Sequence, residues 1–354
     1  MKLAFYGAGR VVDWQLENFR NNPNISVLGC YDTSPVVRSN LINNGFNAFD
    51  TIEELIASAP DVIAISTPSD NHFDAFTLLH SLADPDCIFT IEKPTFLLKS
   101  HFTDSTRVVA SSGRKVFPIF QNRYNNAIQF AKSKLQSGEL GSIMHGSVNL
   151  SWCRPQRYYN QADWRGRWNS DGGCLTNQGI HYIDLTRYLF GEIESVIFAM
   201  DRVDVDIECE NVACGILRSD NERLISLNVN TVARPEDHKA EIIIYCDNGF
   251  INIGGIAANQ IVESSVLVPN GASEDIPHAY GYGHTKFYEK LSNAIKTHDF
   301  TEELLSTLED SQKTHNILYA AYTSALLNNA KVSTSGPFLD ILGTHPDDIT
   351  PIFS

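Results

Sequence analysis

The sequence predicts an α/β protein of two domains: a doubly wound parallel sheet over residues 1–122, and an α+β domain with an open, largely antiparallel sheet over residues 123–354. Three observations lead there. The N-terminal third alternates short apolar runs with helix-like stretches, the pattern of strands covered on both faces by helices. Beyond about residue 122 the pattern changes to β-branched runs separated by turn residues. The chain of 354 residues also exceeds the size, roughly 250–300 residues, at which one hydrophobic core stops growing.

Taken in order, the apolar runs at 3–6, 25–31, 62–66, 88–91 and 116–120 read as buried strands, each bounded by Gly, Pro, Asp or Asn. Helices fit between them. Thr51 through Glu54 has the form of a capping box, in which a hydroxyl and a carboxylate satisfy free N–H groups at a helix start. A helix is expected near 125–137 and another near 175–190, stopped by Gly191. Strands near 196–200, 212–217, 224–229, 241–246 and 261–267 follow, with turns at Ser219, Asp220 and Asn221 and at Asp247, Asn248 and Gly249. Closing helices are expected near 284–296 and 302–328, and no internal repeat is found.

Composition narrows the function classes. No apolar run approaches the roughly 18 residues that span a bilayer, and the chain enters a strand pattern at its start, so a cytoplasmic protein without membrane partners is expected. Seven scattered cysteines with no CxxC pair point to neither a disulfide framework nor a metal site. A net charge of −15 repels polyanions and argues against nucleic acid. A small anionic ligand would therefore need a local basic pocket.

Gly7, Ala8, Gly9, Arg10 and Val11 follow the first strand and open a helix, the setting in which backbone N–H groups meet a pyrophosphate at the positive helix end. Val12 stands where the strict fingerprint has a small residue. Asp32 ends the second strand, close to the spacing of about 20 residues expected of the acid that binds a ribose 2′-OH. Its charge would repel a 2′-phosphate, and Thr33 and Ser34 supply no offsetting cation. The first domain thus reads as a Rossmann domain with NAD, favoured over NADP, as its cofactor.

Three further stretches carry a family resemblance: Ser66, Thr67, Pro68, Ser69, Asp70, Asn71 and His72; Glu92, Lys93 and Pro94; and Gly172 and Gly173 leading to Gly179, His181 and Asp184. Together they resemble the glucose-fructose oxidoreductase, inositol dehydrogenase and rhizopine-catabolism family. The stretches 154–161, 164–166, 171–173 and 177–179, with 280–284, are most similar to UDP-N-acetylglucosaminuronic acid 3-dehydrogenases of that family. The resemblance implies a homo-oligomer, dimer or tetramer, formed through the open sheet. It implies cofactor contacts from Ser66, Thr67, Pro68, His72, Glu92, Lys93, Gln121, Trp164 and Arg165. Substrate contacts are implied from Asn177, Gln178, His181, Tyr282 and His284.

Oxidising a secondary alcohol needs a base within about 3 Å of the departing proton. Lys93, after the fourth strand on the carboxyl-end side of the sheet, and His181 are the candidates, with Lys93 favoured. Asn177, His181 and Asp184 fall at i, i+4 and i+7 and would share one face of a single helix, a spacing that also describes a plain buried polar stripe. In inositol dehydrogenase relatives the position of Asn177 is an aspartate paired with the histidine. That charge is missing here, which shifts weight to Lys93. Arg154, Arg157, Arg165 and Arg167 stand against one acid, Asp163, a local basic segment suited to a diphosphate or a uronate carboxylate. Interleaved Tyr158, Tyr159, Trp164 and Trp168 could stack on a uracil or sugar, or serve as core.

The sequence reading is therefore NAD-dependent oxidation of the 3-hydroxyl of a UDP-linked N-acetylated hexose or hexuronic acid in surface-polysaccharide sugar biosynthesis. Alternatives are an inositol or free-sugar dehydrogenase and a non-catalytic NAD-sensing protein of the same fold. Presence of both Lys93 and His181 argues against the last.

Overall fold

The computed structural model describes residues 1–301 and 303–345. The chain divides into two compact units: Met1–Gln121 with Tyr282–Ser311, and Asn122–Gly281 with the chain from Gln312 onward.

The first unit is built in chain order from β1 (Lys2–Tyr6), α1 (Arg10–Phe19), β2 (Ser26–Tyr31), α2 (Pro35–Asn43), β3 (Ala48–Phe49), α3 (Ile52–Ala57), β4 (Val62–Ile65), α4 (His72–Leu82), β5 (Ile88–Ile91), α5 (Lys99–Ser112) and β6 (Val116–Pro118). The six strands form one parallel sheet in the order β3-β2-β1-β4-β5-β6. The order reverses between β1 and β4, the place where such sheets open a crevice at their carboxyl ends. Every residue of β4 and β5 is buried, as apolar runs covered on both faces must be. Phe76, Phe89, Phe96 and Phe102 meet edge to face at the centre of this core.

Local signals set the helix starts. Ser34 caps α2 ahead of Pro35, and the Thr51 hydroxyl accepts from Glu54 N at 3.2 Å. Glu54 reaches back to the N–H of Asp50 (2.8 Å) instead of Thr51, a shifted version of the expected box. Strand β3 has two residues, too few to leave a periodicity in the sequence.

The second unit adds α6 (Asn126–Gln136), β7 (Ile143–Ser151), α7 (Gln156–Tyr159), α8 (Cys174–Asn177), α9 (Ile180–Phe190), β8 (Ile193–Asp201), β9 (Val212–Ser219), β10 (Leu224–Asn230), β11 (Lys239–Cys246), β12 (Gly249–Gly254) and β13 (Gln260–Ser264). With β14 (Val332–Ser333), these strands form an eight-stranded sheet in the order β13-β12-β11-β7-β10-β9-β8-β14. Among the described residues of this sheet, only β7 and β10 pair in parallel. The other pairings are antiparallel, as the β-branched runs and turns suggested.

Two expectations are corrected. The helix expected over 175–190 is two helices, α8 and α9, because Gln178 and Gly179 both donate to the Cys174 carbonyl and tighten the turn to a stop. The segment 282–311, assigned to the second domain by sequence, packs in the first unit. Its helix α10 (Gly283–Thr297) buries Phe287, Tyr288 and Leu291. The Tyr288 ring meets Phe19 of α1 edge-on, and its hydroxyl lies 3.0 Å from Thr90 Oγ1 of β5. The last helix, α11, is Leu308–Leu326, and the division between units falls within it. The expected start of that helix at Glu302 lies outside the described residues.

Candidate active site

In the first unit, β1 delivers Gly7 with φ +93°, where a Cβ would sit 2.6 Å from the backbone of Ser66 and Thr67. The loop after β4 therefore presses directly on the glycine turn, an approach open only to glycine. Gly9 caps α1 in extended conformation, with nothing within 4 Å of where its Cβ would be. Asp32 ties the loop down, accepting from Ala8 N (3.0 Å) with one oxygen and from Ser34 N (2.9 Å) with the other. Arg38 binds the Asp32 carbonyl at 2.7 Å, so its guanidinium reaches the backbone of this acidic corner.

These residues fit a dinucleotide. Among the described residues the Ser66 and Thr67 hydroxyls are buried without a hydrogen-bond partner, beside a cradle that a single Cβ would fill, and an exposed helix N-terminus opens next to them. Arg10 and Val11 lie on the first turn of α1, Thr33 is exposed beside Asp32, and Pro68 leads a short turn at Ser69–Asn71.

His72, expected at the cofactor, is buried. Its Nδ1 lies 2.9 Å from the Pro94 oxygen and its Nε2 2.9 Å from the Thr67 oxygen, so the ring ties the loops after β4 and β5 together. Burial pushes its imidazole below the usual value.

Glu92, at the end of β5, is buried with its carboxylate against His284 Nε2 (2.9 Å) and Gln15 Nε2 (3.2 Å). Burial pushes this carboxyl up, but the His284 imidazole, the Lys93 ammonium and His72 outweigh it and hold it below the usual carboxylate range. Lys93 follows, half-buried, joined to Pro94 by a cis bond.

His284 and Tyr282, expected at the substrate, belong instead to the first unit: His284 pairs with Glu92, and Tyr282 packs against Trp14 with centroids 6.0 Å apart. The helix start presses on Gln121, whose carbonyl oxygen would lie 2.2 Å from a Cβ at Gly283. This pairing escaped the sequence because Glu92 and His284 stand 192 residues apart.

In the second unit, the four-residue helix α8 ends at Asn177, which donates to Asp171, and α9 begins just before buried His181. Asp171 also accepts from Gly166 N at 2.9 Å. Position 177 thus binds a carboxylate instead of supplying one; the sequence singles out the stretch 171–173 only for its resemblance, and gives Asp171 no role because its partner Asn177 lies across a loop.

Asp184, which the helical spacing placed with His181, instead receives two bonds from Arg123, at 2.7 and 2.6 Å, and one from Thr314 at 3.0 Å. It is a fully buried structural ion pair. Glu210, also missed, caps α8: its Oε1 accepts from Leu175 N and Tyr322 Oη, both at 2.9 Å. Its other oxygen would lie 1.7 Å from a Cβ at Gly173, which accounts for the second glycine of the pair.

The basic-aromatic segment separates into parts. Arg154 pairs with Asp237 at 2.7 Å and lies over Trp152, while Arg157 and Arg167 are exposed. Tyr159 and Trp168 are core, the first bonded to Thr231 (3.1 Å) and the second packed on Tyr322, so neither is available to stack on a ligand. Arg165 lies over Trp164 and Tyr158 and donates to the Tyr158 hydroxyl, which Gln178 also approaches at 3.4 Å.

Residues 128–252 match the model of the GFO/IDH/MocA C-terminal domain. The chain carries a GFO/IDH/MocA C-terminal domain. Among curated relatives, the inositol 2-dehydrogenase of Rhizobium meliloti is 20% identical, over 84% of this chain and 87% of its own. The glucose-6-phosphate 3-dehydrogenase of Bacillus subtilis is 25% identical, over 53% of each. Among solved structures, the WlbA dehydrogenase of Bordetella pertussis, in complex with NADH and UDP-GlcNAcA, has a TM-score of 0.82 at 25% identity, covering 96% of this chain and 99% of its own. The Chromobacterium violaceum WlbA enzyme, with the same two ligands, has a TM-score of 0.82 at 26% identity, covering 94% of this chain and 95% of its own.

Proposed function

We propose that this chain oxidises the 3-hydroxyl of a UDP-linked N-acetylated hexose or hexuronic acid, giving a 3-keto sugar for the making of surface-polysaccharide sugars. The chain is an NAD-dependent dehydrogenase of the GFO/IDH/MocA kind, acting on a sugar or polyol hydroxyl. The substrate assignment rests on its likeness, over 96% of the chain, to an enzyme solved with NADH and UDP-GlcNAcA.

NAD, when bound, supplies the oxidant that accepts the carbon-bound hydrogen of the alcohol. The glycine turn, the Ser66 and Thr67 hydroxyls and Asp32 hold it in this reading. Lys93 takes or polarises the hydroxyl proton, with His181 as the alternative base and Asn177, fixed by Asp171, orienting the sugar. A diphosphate or carboxylate is served in this segment by Arg157 and Arg165, since Arg154 is paired with Asp237. The outer face of the eight-stranded sheet, which exposes Ile197, Ile216 and Tyr245, would pair with a second copy.

The test is NADH formation with UDP-N-acetylglucosaminuronate, UDP-N-acetylglucosamine, glucose 6-phosphate and myo-inositol, each with and without 2-oxoglutarate to reoxidise trapped cofactor. Turnover with a UDP-sugar supports the reading. Turnover with myo-inositol alone replaces it with that of the inositol dehydrogenase relative.

A further inference from the structure

Tyr158 shows a hydrogen-bond imbalance that the substrate reading does not use. Its phenol oxygen accepts from Arg165, a group that can only donate. The Gln178 amide, at 3.4 Å, lies beyond the ordinary 2.5–3.0 Å range of an O–H···O bond, so neither orientation of that amide captures the phenol proton. The proton is thus left without an acceptor among the described residues.

Arg165 shows a matching imbalance. It makes no ion pair among the described residues, its Nε–H is buried without a partner, and its charge rests on the faces of Trp164 and Tyr158. A partly buried cation without a counter-ion among the described residues, beside a hydroxyl whose proton has no acceptor, is an incomplete anion site.

We propose that Tyr158 Oη–H and Arg165 Nε–H together hold an anionic oxygen of the substrate, a carboxylate or phosphate oxygen, and so set the preference for a charged over a neutral sugar. This deepens the substrate reading above and rests on it. It also reassigns the tyrosine: with Arg154 and Arg165 against its ring and Tyr159 edge-on to it, Tyr158 acts through its hydroxyl and not by stacking. Burial pushes its phenol up, and the two nearby guanidinium groups only partly offset this, so the hydroxyl remains a donor at neutral pH. The Asp171 carboxylate, on the same loop, is engaged by Gly166 N and Asn177.

The experiment is titration calorimetry of wild type and Tyr158→Phe, saturated with NADH, against UDP-N-acetylglucosaminuronate, UDP-N-acetylglucosamine and UDP. NADH affinity is measured separately. The variant should bind the uronate roughly ten- to a hundredfold more weakly, the value of a hydrogen bond to a charged group, with NADH affinity unchanged. Loss confined to the uronate assigns the carboxylate, and equal loss for all three ligands assigns the diphosphate. Uronate binding within twofold of wild type, or a loss that falls on NADH instead, overturns the proposal. If wild type binds none of the three, the substrate reading fails by itself. Glucose 6-phosphate and glucuronate against glucose then put the same question to Tyr158, and equal binding by wild type and variant overturns it.

Discussion

At the scale of single residues, the two proposed bases separate by substitution. Lys93→Met keeps the stem's bulk and removes the amine, so folding and NAD affinity should persist while kcat falls by about 10²- to 10⁴-fold. Near-normal turnover in Lys93→Met, with turnover abolished in His181→Ala, would make the histidine the base. Glu210 gives a prediction that needs no substrate. Burial pushes its carboxyl up to about 7, against the Leu175 N–H and the Tyr322 hydroxyl, which favour the charged form. A folded-state value above the unfolded one means that the folded protein binds more protons between about pH 4.5 and 7, so stability falls as pH rises through that window. The loss is on the order of 3 kcal/mol. Denaturant melts at pH 5 and pH 8 should show wild type losing this increment and Glu210→Gln keeping it; identical pH dependence in the two proteins would exclude Glu210 as the source.

At the scale of elements, the start of α8 is a three-way fit of Gly173, the Glu210 carboxylate and the Leu175 N–H. Gly173→Ala drives a methyl into that carboxylate, 2.0 Å from its carbon, and should cost about 2–4 kcal/mol. In a Glu210→Ala background most of that cost should vanish. A double-mutant cycle measures the coupling, and strictly additive effects would mean that the clash is relieved elsewhere. Local chemistry explains most of the other element boundaries. Thr51 caps as its position suggested, Ser34 caps α2, and Gly113 ends α5 in the left-handed conformation. The start of α8 is different, since the group that accepts its Leu175 N–H is a carboxylate 35 residues downstream.

At the scale of the whole molecule, ligand binding should register as global stability. A dinucleotide at 100 times its Kd adds about 2.7 kcal/mol to the unit that binds it. NAD should therefore raise the melting temperature more than NADP at equal concentration, if the Asp32 carboxylate beside the glycine turn meets the ribose as proposed. Asp32→Ser should narrow that difference. It should also weaken NAD, since both carboxylate oxygens anchor backbone N–H groups of the loop itself. A comparable rise with both dinucleotides in wild type would contradict the preference.

The amino-acid sequence by itself determined the parallel sheet, the change to antiparallel strands, the glycine turn and the acid after β2, because each is a short-range pattern of burial, spacing or backbone freedom. It also singled out Lys93 and His181 as the candidate bases, through short motifs. Tertiary structure alone decided which charges cancel. Asp184 is consumed by Arg123, Arg154 by Asp237 and His284 by Glu92, whereas Arg165 has no carboxylate partner among the described residues. It likewise decided that 282–311 returns to the first unit, where the face of α10 carrying Tyr288 meets Phe19 and Thr90. The physical reason is common to all of these. An ion pair or an apolar face is completed by a partner that the chain brings back from far along its length, and no local spacing records which partner that will be.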